Sequence, residues 1–269
     1  MENPLALETK AWLDDRLATL ELFALDDSSE YVLLKRVQAF PFERYPDYTI
    51  PWHLLRWEHM RWDFVALIIE LMEAFKHVKG SLAGRYIQLE PFQVLTLCCF
   101  LAPFDPATDA RLVRTALMTI ARKNAKTTLI SALLTALMSL RPESGGLYRQ
   151  ELFVGASDRK QAGEVYDIAN GIITQDRDLG LVDKFKCVPS SKLIQHLTTL
   201  TKLEVLSSEA YRAHGRNPVA VVYDETGNLP NPLATDFYSV LTSGFGAQEE
   251  ALAVLMSTQA PVDAHIFSE

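Results

Sequence analysis

Two short windows hold residue types that can do chemistry together. The first reads Ile120-Ala121-Arg122-Lys123-Asn124-Ala125-Lys126-Thr127, and a long apolar helical stretch follows it. A lysine and a hydroxyl at the head of a helix suit an anion, because the helix start adds unpaired N–H groups and the positive end of its dipole. The second reads Val219-Ala220-Val221-Val222-Tyr223-Asp224-Glu225, an apolar run that delivers two acids. At the carboxyl end of a buried strand, where open α/β sheets bind ligands, one acid can hold a divalent cation and its neighbour can polarise a water.

Taken singly, each window has a plainer reading. The phosphate-loop consensus G-x-x-x-x-G-K-[ST] is met by residue type only at Lys126 and Thr127, so the first window also suits an exposed basic turn before a helix. The second also suits a strand that ends in a solvated acidic turn. Their order, and their separation by several strand–helix units, joins them into one expectation, a site for ATP with Mg²⁺. Lys126, exposed at its helix start, reaches the β- and γ-phosphates and touches nothing else; Thr127 and Asp224 ligate the magnesium, and Glu225 serves as general base.

Hydrophobic periodicity supplies elements to carry these residues. Residues 113–120 and 151–156 predict strands, and 128–140 a helix with Leu129, Leu133 and Leu137 on one face. Ser157-Asp158 predicts the cap of a helix running to about residue 173. Residues 185–188, 193–196 and 203–206 predict short strands that form an accessory hairpin or join the sheet. Residues 220–223 predict a buried strand, 232–241 a helix and 251–257 a final strand. Such alternation predicts an α/β fold with a mostly parallel sheet covered by helices on both faces. Upstream, the pattern predicts a helix over residues 5–25, a loop or extended Pro- and aromatic-rich stretch over 40–46, one continuous helix over 51–75, and a shorter one over 92–100. Trp52, Trp57 and Trp62 read as helix packing. The chain thus divides into a helical N-terminal appendage, residues 1–79, and a core domain, residues 80–269.

Composition bounds the function classes. The 269 residues are 48% apolar and 22% charged, which suits a folded chain with a substantial interior. No uncharged apolar run approaches the length of about 18 residues that a membrane helix needs. The N-terminus lacks a basic region followed by an apolar one, so a cytoplasmic location is expected. Cys98, Cys99 and Cys187 form no C-x-x-C pair and read as buried thiols. A net charge of −8 argues against a protein that coats nucleic acid. The charge is uneven: residues 1–110 hold 10 basic and 17 acidic side chains, residues 111–216 hold 16 and 10, and residues 217–269 hold 0 and 7. A basic middle flanked by acidic ends suits a local phosphate-handling site.

The ordered motifs resemble those of the ATPase domain of the large terminase subunit of tailed bacteriophages, the motor that packages double-stranded DNA into capsids. Arg122-Lys123-Asn124-Ala125-Lys126-Thr127 is similar to that family's R-K-N-G-K-[ST] loop, and Phe92-Gln93 to its adenine-reading aromatic–Gln motif. Phe153-Val154-Gly155-Ala156-Ser157 with Gln161-Ala162 resembles its A-A-x-x-x-x-Q-A segment. The run from Leu206 through Gly215 to Asp224-Glu225 resembles its approach to the acidic motif, and Ser257-Thr258-Gln259 its coupling motif. The resemblance covers about residues 89–260. It implies an ASCE-type P-loop NTPase, with ATP contacts from Phe92, Gln93, Arg122, Lys123, Asn124, Ala125, Lys126, Thr127, Thr128 and Thr258. It further implies double-stranded DNA, a portal protein and a small terminase subunit as partners, a ring of copies when assembled, no membrane, and a phage- or prophage-encoded chain in the host cytoplasm. Arg122 would act within its own subunit, and Arg212 or Arg216 would reach into a neighbour's site as an arginine finger.

Two departures stand out. Ala125 occupies the place of the glycine before the lysine, and a Cβ there costs on the order of 1 kcal/mol if the backbone turns left-handed. The family also carries a magnesium-dependent nuclease domain after the ATPase; that domain is expected to be absent from this chain, and no acidic triad replaces it. Two other readings stay open on sequence. A superfamily 2 helicase-like ATPase shares the Asp-Glu and Ser-Thr-Gln motifs but needs a second RecA-like lobe. A nucleotide-binding scaffold without hydrolysis is compatible with the missing loop glycines.

Overall fold

The computed structural model describes residues 4–40, 52–120, 124–156, 159–206, 218–225, 245, 248 and 250–257. The chain divides into two compact units, Met1–Glu70 with Gln88–Val113, and Leu71–Ile87 with Arg114–Glu269.

The first unit is mainly helical. Helix α1 (Pro4–Leu22) buries Leu13, Leu17 and Leu20. Helix α2 (Ser29–Gln38) has no counterpart in the sequence reading. Ser28 caps it by accepting the Tyr31 N–H at 3.2 Å, and Leu33, Leu34 and Val37 form its buried face. The Arg16 guanidinium grips Glu30 with two hydrogen bonds, at 2.6 and 2.8 Å, and so ties α1 to α2.

The single helix expected over residues 51–75 is instead a 3₁₀ turn (Trp52–Arg56), a break, and helix α3 (Trp62–Ala74). The break has a physical cause: residues 57–61 spend their backbone groups elsewhere. Arg61 N–H donates to Ala102 at 2.9 Å, Phe104 N–H donates to His59 at 3.1 Å, and Met60 bridges Pro103. Trp57 is 41% exposed and donates its indole N–H to Phe104 O, a tether rather than a core residue. Helix α4 (Pro91–Leu101) follows, with proline in its first turn and Val94, Leu95, Leu97, Cys98 and Leu101 buried. A two-strand hairpin of β1 (Phe104–Asp105) and β2 (Ala110–Arg111) then folds around the acidic loop.

The second unit is built on a sheet of seven described strands: β3 (Thr115–Thr119), β4 (Glu151–Ala156), β5 (Phe185–Val188), β6 (Leu193–His196), β7 (Lys202–Val205), β8 (Ala220–Asp224) and β9 (Leu252–Ser257). Their order is β3-β9-β8-β4-β7-β6-β5. The first five in that order run parallel, and β6 and β5 add an antiparallel edge. Thus 185–188 and 193–196 form a hairpin that also joins the sheet. Every residue of β8 and β9 is buried. Neighbouring strand residues point to opposite faces, so both faces are covered there, as the unbroken apolar runs predict.

Helices α5 (Lys126–Ser139) and α6 (Arg159–Gln175) pack together, with α6 lying on β4 and β7. A short helix α7 (Leu181–Lys184) leads into β5. Residues 71–87 belong to this unit and strap across the end of α6. Gln175 Nε2 donates to Lys76 O at 2.7 Å, Lys76 pairs with Asp178 at 3.2 Å, and Val78 packs on Gly171. The helix expected over 232–241 and the cap expected at Ser157-Asp158 lie outside the described residues.

Candidate active site

Strand order brings the two chemical windows together. β3 leads into the loop before Lys126, β8 ends in Asp224, and β9 lies between them, paired in parallel with both. Register sets their ends level: Thr119 pairs with Ser257, Met256 with Asp224, and Asp224 with Ala156 on β4. Ile120 N–H donates to Ser257 O at 3.1 Å and carries the alignment one residue further. The phosphate-loop segment, the acidic pair and the end of β4 therefore share one edge of the sheet, the edge at which parallel sheets bind ligands.

Lys126 opens α5, and its ammonium reaches the acids. Nζ lies 3.3 Å from Asp224 Oδ1 and forms a shorter ion pair with Glu225 Oε1. The three side chains keep only 12%, 8% and 16% of their surface, for Lys126, Asp224 and Glu225 in that order. This corrects the expectation of an exposed lysine that touches only phosphate. The physical reason is charge: two acids at one strand end need a counter-ion once they leave water, and among the described residues Lys126 supplies it. Burial pushes the Asp224 carboxyl above its ordinary range; Lys126 pulls it back down, and the neighbouring Glu225 charge pushes it up.

Two residues here take left-handed backbone without being glycine. Ala125, the residue before the lysine, has φ +54° and ψ +24°, and Glu225 has φ +60°. The strain suspected at Ala125 from its place in the loop is thus present. Glu225 N–H donates to Asp224 Oδ1 at 3.0 Å, a local bond that helps to hold the unusual turn. Such backbone costs on the order of 1 kcal/mol or more per residue and clusters at functional sites.

Thr127 follows Lys126 in the first turn of α5, and both it and Thr128 are partly exposed. The Thr127 hydroxyl and the Asp224 carboxylate are hard oxygen donors of the kind magnesium takes. Among the described residues there is no group of three or more His, Cys, Asp or Glu that could hold a metal by itself. Asn124 and Ala125 are exposed in the loop before the helix. Arg122, Lys123, Arg212, Arg216 and Thr258 lie outside the described residues.

Phe92 and Gln93 stand in the first turn of α4, in the other unit. Gln93 is buried, and its amide oxygen accepts the Glu90 N–H at 2.9 Å, the side-chain half of a capping box. One contributor to the phosphate-loop helix escaped the sequence reading. Ser131 is fully buried, and its hydroxyl lies 2.7 Å from Thr127 O and 3.1 Å from Val165 O, so it ties the first turn of α5 to α6. Its place one turn after Thr127 is the signal that marks it.

Comparison with known proteins agrees with this geometry. The family described as "Terminase large subunit, ATPase domain" matches residues 91–266. The large terminase subunit of Enterobacteria phage HK97 is 32% identical over 202 residues, which are 75% of this chain and 38% of that protein. The crystal structure of the HK97 large terminase superposes with a TM-score of 0.63 at 30% identity, covering 76% of this chain and 40% of that one. The chain therefore spans about two fifths of the length of these relatives. It belongs to the family of terminase large-subunit ATPase domains and is, as that family implies, an ATP hydrolase.

Proposed function

We propose that this chain is the motor domain of a viral DNA-packaging terminase, coupling hydrolysis of magnesium-bound ATP to translocation of double-stranded DNA into a capsid. The observation that carries this is the meeting of Lys126 with Asp224 and Glu225 across the intervening strand β9. Lys126 binds phosphate oxygens, and Asp224 with Thr127 holds the magnesium. When bound, the ion supplies positive charge to the transferring phosphate. Glu225, once released from Lys126, takes a proton from the attacking water at its carboxylate.

The remaining loop residues Arg122, Lys123, Asn124, Ala125 and Thr128, together with Thr258, complete the nucleotide contacts, and Phe92 with Gln93 reads the adenine. Arg122 acts in its own subunit, and Arg212 or Arg216 in a neighbour's. Portal protein and small terminase subunit are the packaging partners, and copies of the chain form a ring in the host cytoplasm. A basic balance of +6 confined to residues 111–216 supports intermittent rather than tight contact with DNA phosphates. No described helix is long and apolar enough to cross a membrane.

Steady-state phosphate release, with and without double-stranded DNA, tests the proposal. Wild type turns over ATP faster with DNA, whereas Glu225→Gln keeps nucleotide binding and loses turnover. Normal turnover in Glu225→Gln removes it as the base, and binding without turnover in wild type leaves a scaffold. For the arginines, Arg212→Ala/Arg216→Ala protein is mixed with Lys126→Ala protein, each inactive alone. Recovered turnover places the finger between subunits, and none under conditions where wild type assembles rejects it.

A further inference from the structure

Helix α1 ends in an apolar tip that is open to solvent. Residues 21–27 are all exposed, and within them Leu22, Phe23 and Leu25 keep 80%, 67% and 46% of their surface. Leu22 and Phe23 are the most exposed large apolar side chains among the described residues. A single exposed leucine is ordinary, whereas three large apolar side chains within four residues mark a surface that meets something.

Hydrogen bonds hold the tip in shape. Ala24 N–H donates to Glu21 O at 3.1 Å and Leu25 N–H donates to Leu20 O at 2.9 Å, the paired bonds that close a helix around a left-handed residue. That residue is Ala24, at φ +55°, where glycine is the usual choice. Ser28, the cap of α2, locks the other side by donating its hydroxyl to Leu25 O at 2.7 Å. The backbone that carries Leu22, Phe23 and Leu25 is thus fixed before any partner arrives, which lowers the ordering cost of binding.

Charge selects the occupant. Residues 14–36 hold six acidic and three basic side chains. Two of the bases are spent within the unit, Arg16 on Glu30 and Arg36 on Leu89 O at 3.1 Å. Asp14, Asp15, Glu21, Asp26 and Asp27 are exposed. A second copy docking tip to tip would set acid against acid, and the same field repels DNA phosphates and anionic lipid headgroups. We infer that the α1 tip docks a protein partner through a basic amphipathic helix, whose apolar face takes Leu22, Phe23 and Leu25 and whose lysines or arginines meet the surrounding acids.

The test is fluorescence anisotropy of a labelled amphipathic helical peptide of leucine and lysine, titrated with the full chain, beside a twin peptide with glutamate for every lysine. The lysine peptide binds and the glutamate peptide does not. Leu22→Ser/Phe23→Ser weakens binding about tenfold or more, with the melting temperature unchanged because both side chains already face water. Asp26→Asn/Asp27→Asn also weakens it and flattens its salt dependence. Equal binding of both peptides, no binding of either, or wild-type affinity in Leu22→Ser/Phe23→Ser overturns the docking site. Sedimentation of the wild type as a dimer that this variant dissolves assigns the tip to a second copy and overturns it too. So does flotation of the wild type with phosphatidylserine vesicles that the variant loses.

Discussion

Substituting Lys126→Ala removes the cation between two shielded carboxylates, and the structure sets how much that costs. Breaking a buried ion pair from one side costs about 3–5 kcal/mol, because the partner charge is left uncompensated. The partners here keep 8% and 16% exposure, so the lower end applies, about 3 kcal/mol. For a domain of this size that lowers the melting temperature by roughly 6–12 °C. The loss depends on pH. The Asp224 carboxyl is already raised by burial, with Lys126 opposing the rise. Without the lysine it rises further. A carboxyl with a raised folded value contributes stability below its unfolded value and loses it as pH climbs through the folded one. The deficit of Lys126→Ala against wild type is therefore larger at pH 8 than at pH 5. Urea unfolding at both pH values, with ATP turnover measured alongside, checks this. The same unfolding in Lys126→Ala/Glu225→Gln should recover part of the loss, since one orphaned charge is gone. Loss of turnover with an unchanged midpoint at pH 8, or a deficit equal at both pH values, would refute the ion-pair argument.

Other substitutions test the surroundings. Ala125→Gly relieves the left-handed backbone at φ +54°, so nucleotide titration should show equal or tighter binding; a large loss would mean that this loop does not cradle phosphate. Gly171→Ala places a methyl well inside contact distance of the Val78 side chain, 2.8 Å from Cγ2, and should cost about 1–3 kcal/mol in thermal unfolding. Val78→Ala in the same chain should restore most of that loss, and failure to do so rejects the contact as its cause. Burial pushes the Cys98 thiol up to about 12 and Cys99 well above its ordinary value, whereas Cys187 is only partly buried. A thiol reagent at pH 8 should label Cys187 in the folded chain and reach Cys98 and Cys99 only on unfolding, as mass spectrometry can show.

Much of the second unit was readable in advance because its strands are nearly continuous apolar runs between polar breaks. The apolar run 151–156 predicts β4 with the bounds it has, and the runs 220–223 and 251–257 predict β8 and β9 within a residue. The chemical pair was readable for the same reason: Lys126 opens a helix and Asp224 ends a strand, and parallel topology collects such points at one edge. What stayed hidden depended on partners distant in sequence. The break at residues 57–61 exists because their backbone bonds to residues 102–104. Helix α2 gives little periodic signal because its buried face is only Leu33, Leu34 and Val37. The pairing of Lys126 with Glu225 spans 99 residues of chain and could not be inferred before strand order was known.

The place of β9 between β3 and β8 has a mechanical consequence. Five register pairs join it to β3 and five to β8, and both of those strands run parallel to it. Tension applied along that axis through the residues after Ser257 loads both ladders in shear, so their hydrogen bonds share the force and must yield together rather than one at a time. The same tension acts at the level of Thr119 and Asp224, the neighbours of Ser257 and Met256 in register. A pull on this strand is thus spread over both ladders, whose carboxyl ends carry Thr119 and Asp224.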